Sequence, residues 1–211
     1  MMPTKDRREI LKLFASAPLA AGFAFSEAQA QTAHEHARKA AAAAAAGKAA
    51  AYTPKFFTPH EWETVRVLVD IVIPKDERSG SATDALVPEF MDFILRDPLA
   101  ERVPLERNQT RMRGGLAWLD LECGRRFAGK SFVACSDAER KAVLDDIAYP
   151  RKTAPERVPA AAFFTAFRDL TAAGFWSSKL GVQDIGFKGN TFVAEWNGCP
   201  PEVLKKIGVD A

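Results

Sequence analysis

Apolar residues recur every three or four positions through most of the chain, and this spacing predicts helices. Thr58-Pro59-His60-Glu61 is a capping box with proline at the first helical position, and Trp62, Val65, Val69 and Val72 follow at helical spacing until Pro74 stops the helix. A polar loop from Lys75 to Thr83 precedes a second helix, Pro88 to Asp97, with Phe90, Phe93 and Ile94 on one side. A third helix should run from about Leu105 to Phe127, since Met112, Leu116, Leu119, Cys123 and Phe127 form one stripe. Gly114-Gly115 interrupts it at some loss of propensity and leaves room for a neighbouring helix to approach. Ser136-Asp137-Ala138-Glu139 is another capping box and opens a helix carrying Val143, Leu144 and Ile147. After a basic, proline-punctuated loop, Pro150 to Pro159, a fifth helix carries Phe163, Phe164, Phe167 and Leu170, with Gly174 placed to cap it. No stretch alternates long enough for a strand. The reading is all-α: an irregular bundle of about five helices followed by a long non-regular C-terminal segment that packs on a partner.

That segment begins after Gly174. Phe175, Trp176, Phe187, Phe192 and Trp196 are scattered among Gly181, Gly186 and Gly189 with no helical or strand period. Aromatic residues on irregular backbone make good interface anchors. They serve either a partner or the chain's own helices.

The N-terminus has the pattern of an export signal. Arg7 and Arg8 precede Leu11 and Lys12, an apolar run spans Leu13 to Phe25, and Ala28-Gln29-Ala30 before Gln31 is a small-x-small cleavage site. The paired arginines mark the twin-arginine route. Thirteen apolar residues are short of the roughly 20 that span a bilayer. The chain thus divides into a signal over 1–30, an alanine-rich linker over 31–51 and a helical domain over 52–211. His34-Glu35-His36 falls in the linker, where two imidazoles without a third ligand read as a solvated tail, not a metal site.

Composition narrows the function. The 211 residues are 47% hydrophobic, enough for one core. With 29 basic and 27 acidic residues the net charge is +2. The first thirty residues hold four basic and three acidic groups, so the remainder carries 25 against 24. That balance leaves no stripe for nucleic acid. There is no G-x-G-x-x-G, C-x-x-C-H or G-x-S-x-G, and no P-loop in a strand-to-helix context: Gly124-Arg125-Arg126-Phe127-Ala128-Gly129-Lys130-Ser131 has the G-x-x-x-x-G-K-S spacing but falls at the end of the third helix instead of after a strand. Of three histidines only His60 lies in the helical domain, so any nucleophile–base site would have to use it. The twin-arginine route carries folded cargo, which implies a cofactor loaded before export, yet no motif here binds one. The simplest resolution places the cofactor in a partner that travels with this chain. The alternatives are an independent periplasmic enzyme built around His60 and a free-standing binding or scaffold protein.

Three cysteines are an odd count for an oxidising compartment, where a free thiol or an interchain bond is expected. Cys123 sits on the third helix's apolar stripe and Cys135 precedes a cap. Cys199 lies in the irregular tail and is the candidate for an intersubunit disulfide, with a free or internally paired thiol as the alternative.

Taken together, several segments resemble the gluconate 2-dehydrogenase subunit 3 family. They are Phe57-Thr58-Pro59-His60-Glu61, Asp70-Ile71-Val72-Ile73-Pro74-Lys75-Asp76, Phe163-Phe164 with Arg168-Asp169-Leu170-Thr171, Gly174 to Ser178 with Gly181, and Gly186-Phe187-Lys188-Gly189. The resemblance spans nearly all of 56–200. It implies a small subunit with no catalytic residues of its own. It also implies a larger partner that binds FAD and oxidises a sugar or sugar acid, and a multihaem cytochrome c subunit that takes the electrons. The small subunit would supply the twin-arginine signal to the catalytic subunit and help it mature.

Overall fold

A computed structural model of the chain describes residues 26–46, 52–96, 105–187, 198–206 and 208. The described residues are helical, without strands. In order the helices are α1 (Glu27–Ala45), α2 (Pro59–Val72), α3 (Val87–Ile94), α4 (Leu105–Arg126), α5 (Asp137–Asp145), α6 (Val158–Trp176), α7 (Lys179–Asp184) and α8 (Pro201–Lys206). Two 3-10 turns, Pro150–Lys152 and Pro155–Arg157, lead into α6.

The five helices read from the sequence are α2 to α6. Both capping boxes form: Thr58 and Glu61 exchange side-chain and backbone hydrogen bonds at the start of α2, and Ser136 and Glu139 do so at α5. These bonds occupy amides that would otherwise be unpartnered at a helix start. The α4 stripe is buried at Met112, Leu116, Leu119 and Cys123. It meets α6, whose Phe163, Phe167 and Leu170 occupy the centre of the core. Gly115 makes this contact possible, because a Cβ there would lie 1.9 Å from Phe163 Cγ.

Four sequence-based expectations are corrected. Residues 31–51 were expected to be a linker with no packing face, yet α1 covers 27–45 and lies along α3, burying Ala30, Ala33, His34 and Ala37. Those positions repeat with helical spacing, and small side chains let two helices approach closely. His34 is therefore not in a solvated tail. Its ring stacks on Phe90 at 4.7 Å, and its Nε2 lies 2.8 Å from Ser177 Oγ. Burial, with Arg38 adding a smaller effect, lowers its pKa to about 4. His36 packs against Phe93 at 5.2 Å.

Third, Gly174 does not cap α6. The helix continues to Trp176, and Gly174 lies inside it because a Cβ would come within 2.8 Å of Phe90 Cδ1. Fourth, the segment after Gly174 is not irregular throughout. Ser178 accepts a hydrogen bond from Gly181 N and opens α7, which folds back against α6.

One buried carboxylate organises the approach to α2. Asp92 on α3 is fully buried and accepts from Tyr52 OH at 2.8 Å, Phe56 N at 2.8 Å, Lys55 N at 3.0 Å and Phe57 N at 3.2 Å. Burial first, and the bond to Asp92 second, push the Tyr52 phenol pKa upward. Arg113 of α4 completes the fastening: it donates to Phe56 O at 2.6 Å and stands 4.6 Å from that ring's centroid.

Candidate partner-binding surface

The aromatic residues proposed as anchors separate sharply in the structure. Phe175 has no exposed surface and packs its ring edge-on to Trp176 at 4.9 Å. It belongs to the core and is withdrawn as an anchor. Helical geometry explains the split: neighbouring residues lie about 100° apart, so Phe175 faces inward while Trp176 faces outward. Trp176 is 41% exposed and Phe187 is 66% exposed. Ile185, not singled out from the sequence, joins them at 55%. Arg78 holds α7 in place by donating to Asp184 O at 2.6 Å. Phe192 and Trp196 lie outside the described residues, as do Arg7, Arg8, Leu11 and Lys12. Cys199 is exposed with a free thiol, whereas Cys123 and Cys135 are buried. Burial, then the neighbouring Cys135 thiol, push the Cys123 pKa up to about 12.

A second surface was missed. Between α4 and the start of α6 runs a largely apolar groove of about 730 Å³. Gly114, Gly115, Trp118, Ala162 and Phe163 line it, and Arg107 and Arg111 stand at one end. Exposed Leu121 lies one turn beyond Trp118, and exposed Val158 begins α6. The signal was present in the sequence. Trp118 and Leu121 fall off the stripe of Met112, Leu116, Leu119 and Cys123, which gives α4 a second apolar side.

Candidate catalytic groups sit elsewhere. His60 Nε2 pairs with Asp120 Oδ2 at 2.6 Å, and Asp120 Oδ1 accepts from Phe132 N at 2.8 Å. The couple ties the start of α2 to α4 and to the loop that follows it. His34 and Ser177 border a cleft of about 330 Å³ with Glu35, Arg38 and Lys179. Ser177 Oγ donates its single proton to Ala173 O at 2.5 Å. By elimination it accepts from His34, so the imidazole is not placed as a base for that hydroxyl. The motif residues Ala28, Ala30 and Gln31 lie within the first turns of α1, Ala30 being 4% exposed. Among the described residues no three His, Cys, Asp or Glu side chains gather as metal ligands. No described helix is long and apolar enough to cross a membrane.

At the other end of α4, Glu122 gathers three guanidiniums. Arg125 donates to it at 2.8 and 2.9 Å, Arg126 at 2.8 Å through Nε, and Arg157 lies 3.6 Å away. Arg126 and Arg157 also hold Asp146, at 2.6 and 2.8 Å. The network joins α4, the end of α5 and the basic loop. The Arg125 hydrogen bonds, opposed by burial and helped by Arg126, lower the Glu122 pKa to about 2.

Fold and surface together define a small helical protein with exposed apolar residues at the end of α6 and beyond α7, and with an apolar groove between α4 and α6. The chain belongs to the gluconate 2-dehydrogenase subunit 3 family, whose model matches residues 59–195. Membership makes it an accessory subunit of a dehydrogenase complex. No curated protein and no solved structure matches the chain.

Proposed function

We propose that this chain is the non-catalytic small subunit of a periplasmic, FAD-dependent sugar or polyol dehydrogenase complex. In this reading it supplies the twin-arginine signal through Arg7 and Arg8, escorts the flavin-binding catalytic subunit out of the cytoplasm and stays bound to it. A multihaem cytochrome c subunit accepts the electrons, the translocase recognises the signal, and Cys199 forms a disulfide with the catalytic subunit. The observation that carries the reading is the exposed set Trp176, Ile185 and Phe187, on a chain whose family is a dehydrogenase subunit. Exposed aromatic residues of this kind are the groups that dominate interface energies, at roughly 2 kcal/mol or more each when truncated.

The test is co-expression with the flavin-binding catalytic subunit of the complex. Under reducing conditions, which open any Cys199 disulfide, Trp176→Ala with Phe187→Ala should release the flavoprotein on purification while leaving this chain's helicity unchanged. Arg7→Lys with Arg8→Lys should strand both proteins in the cytoplasm. Undiminished co-purification would remove the proposed surface, and normal export of the flavoprotein would remove the escort role. A heavier band on a non-reducing gel should disappear with Cys199→Ser.

A further inference from the structure

The twin-arginine route delivers a chain that has already folded, so the leader's cleavage motif meets the peptidase in its folded conformation. In this structure that motif is not an accessible strand. Ala28, Gln29 and Ala30 occupy the first turn of α1, and the scissile Ala30–Gln31 bond lies just beyond. Ser26 caps the helix: its Oγ accepts from Gln29 N at 3.2 Å, and its amide donates to Gln29 Oε1 at 2.7 Å. Ala30 and Ala33 are buried at 4% and 0% exposure. One turn on, His34 stacks on Phe90 and bonds Ser177, which fixes α1 to both α3 and α6.

We infer that the Ala30–Gln31 bond is not cut once the chain has folded, because α1 holds the motif inside a packed helix, and that the folded protein keeps its leader. The inference rests on the export reading for the identity of the leader, and on α1 alone for its protection. A peptidase reads its substrate as an extended strand. Access therefore requires the first turns of α1 to open, and opening separates Ala30 and Ala33 from the core. Cleavage would add water across the bond, leaving a carboxylate on Ala30 and an ammonium on Gln31. The product helix would lose its Ser26 cap and gain a positive charge where the helix dipole is already positive, so α1 disfavours the cut state as well. The retained apolar run, Leu13 to Phe25, would then be separated from α1 by Ser26 alone.

The experiment uses the purified full-length chain, a leader peptidase in detergent and intact-mass readout. A second version carries a glycine-flanked copy of residues 28–31 inserted between Phe25 and Ser26, ahead of the helix cap, and circular dichroism checks that its helicity matches the parent's. The chain should remain at 23.1 kDa while the inserted copy is cut at least about tenfold faster than the native bond. A product beginning at Gln31, formed from the folded chain as fast as the copy is cut, overturns the inference. If the peptidase processes a control leader but neither bond here, the leader reading itself fails and takes the inference with it. In cells, an exported chain whose mass begins at Gln31 also overturns it. A chain that is never exported sinks the export reading and leaves the comparison of the two bonds standing.

Discussion

Removing the Asp92 carboxylate should unfasten the segment that leads into α2. Asp92→Ala deletes the common acceptor of Tyr52 OH and of the Lys55, Phe56 and Phe57 amides, in a place with no exposure. A hydrogen bond to a charged group contributes about 1.5–3 kcal/mol, and a buried donor left without an acceptor costs about 1–3. The four bonds share one acceptor and are not additive, and water will reach part of the vacated space. The net loss is therefore about 3–5 kcal/mol, comparable with breaking a buried ion pair. Against a total stability of about 5–15 kcal/mol, the variant remains folded but marginal. At about 2–4 °C per kcal/mol for a chain of this size, Tm falls by roughly 6–20 °C. Tyr52→Phe removes one of the four bonds, leaves no buried amide unpaired and should lose only about 1.5 kcal/mol, the low end for a hydrogen bond to a charged group. Thermal unfolding followed by far-UV circular dichroism gives both numbers. Hydrogen exchange at Lys55 to Phe57 should accelerate in Asp92→Ala beyond what the global loss explains. If Asp92→Ala unfolds within about 2 °C of the parent, or no earlier than Tyr52→Phe, the carboxylate does not organise this segment.

Two adjacent glycines should respond with opposite signs. Gly115→Ala places a methyl 1.9 Å from Phe163 Cγ and should lose about 1–3 kcal/mol by forcing α4 and α6 apart. Gly114→Ala meets nothing within 4 Å and should gain about 0.5–1 kcal/mol, so urea midpoints moving the same way would contradict the packing. Glu122, with its pKa lowered to about 2 from 4.5, gives stability that is fully present above about pH 4.5. It is lost as pH falls through about 2, because the unfolded chain binds the proton first. The shift corresponds to roughly 3 kcal/mol, which screening at the two-thirds exposed Arg125 reduces to roughly 1–2. Glu122→Gln should be less stable by that amount at pH 7 and equal to the parent near pH 2; a difference independent of pH would refute the assignment. Alkylation of the reduced, folded chain at pH 8 should label Cys199 alone, with Cys123 and Cys135 reacting only in denaturant. Mass spectrometry would expose an error if three labels entered the native protein.

What the sequence by itself determined was local. Capping boxes at Thr58 and Ser136 were legible because each is completed within four residues, and the α4 stripe because burial on one side of a helix imposes its period on the chain. Tertiary structure decided whatever depended on the opposing surface. Alanines are apolar enough to bury and small enough to leave exposed, so only the presence of α3 and its Phe90 made α1 a packed element. Gly174 is equally suited to end a helix or to let one pass close to a neighbour, and Phe90 selected the second role. Phe175 and Trp176 are adjacent and chemically alike, yet continuation of α6 through both sent one inward and the other outward. The groove beside Trp118 exists only because Gly115 admits Phe163. A helix records in its own sequence which residues are apolar; which of them meet a neighbour, a partner or water is set by elements far away along the chain.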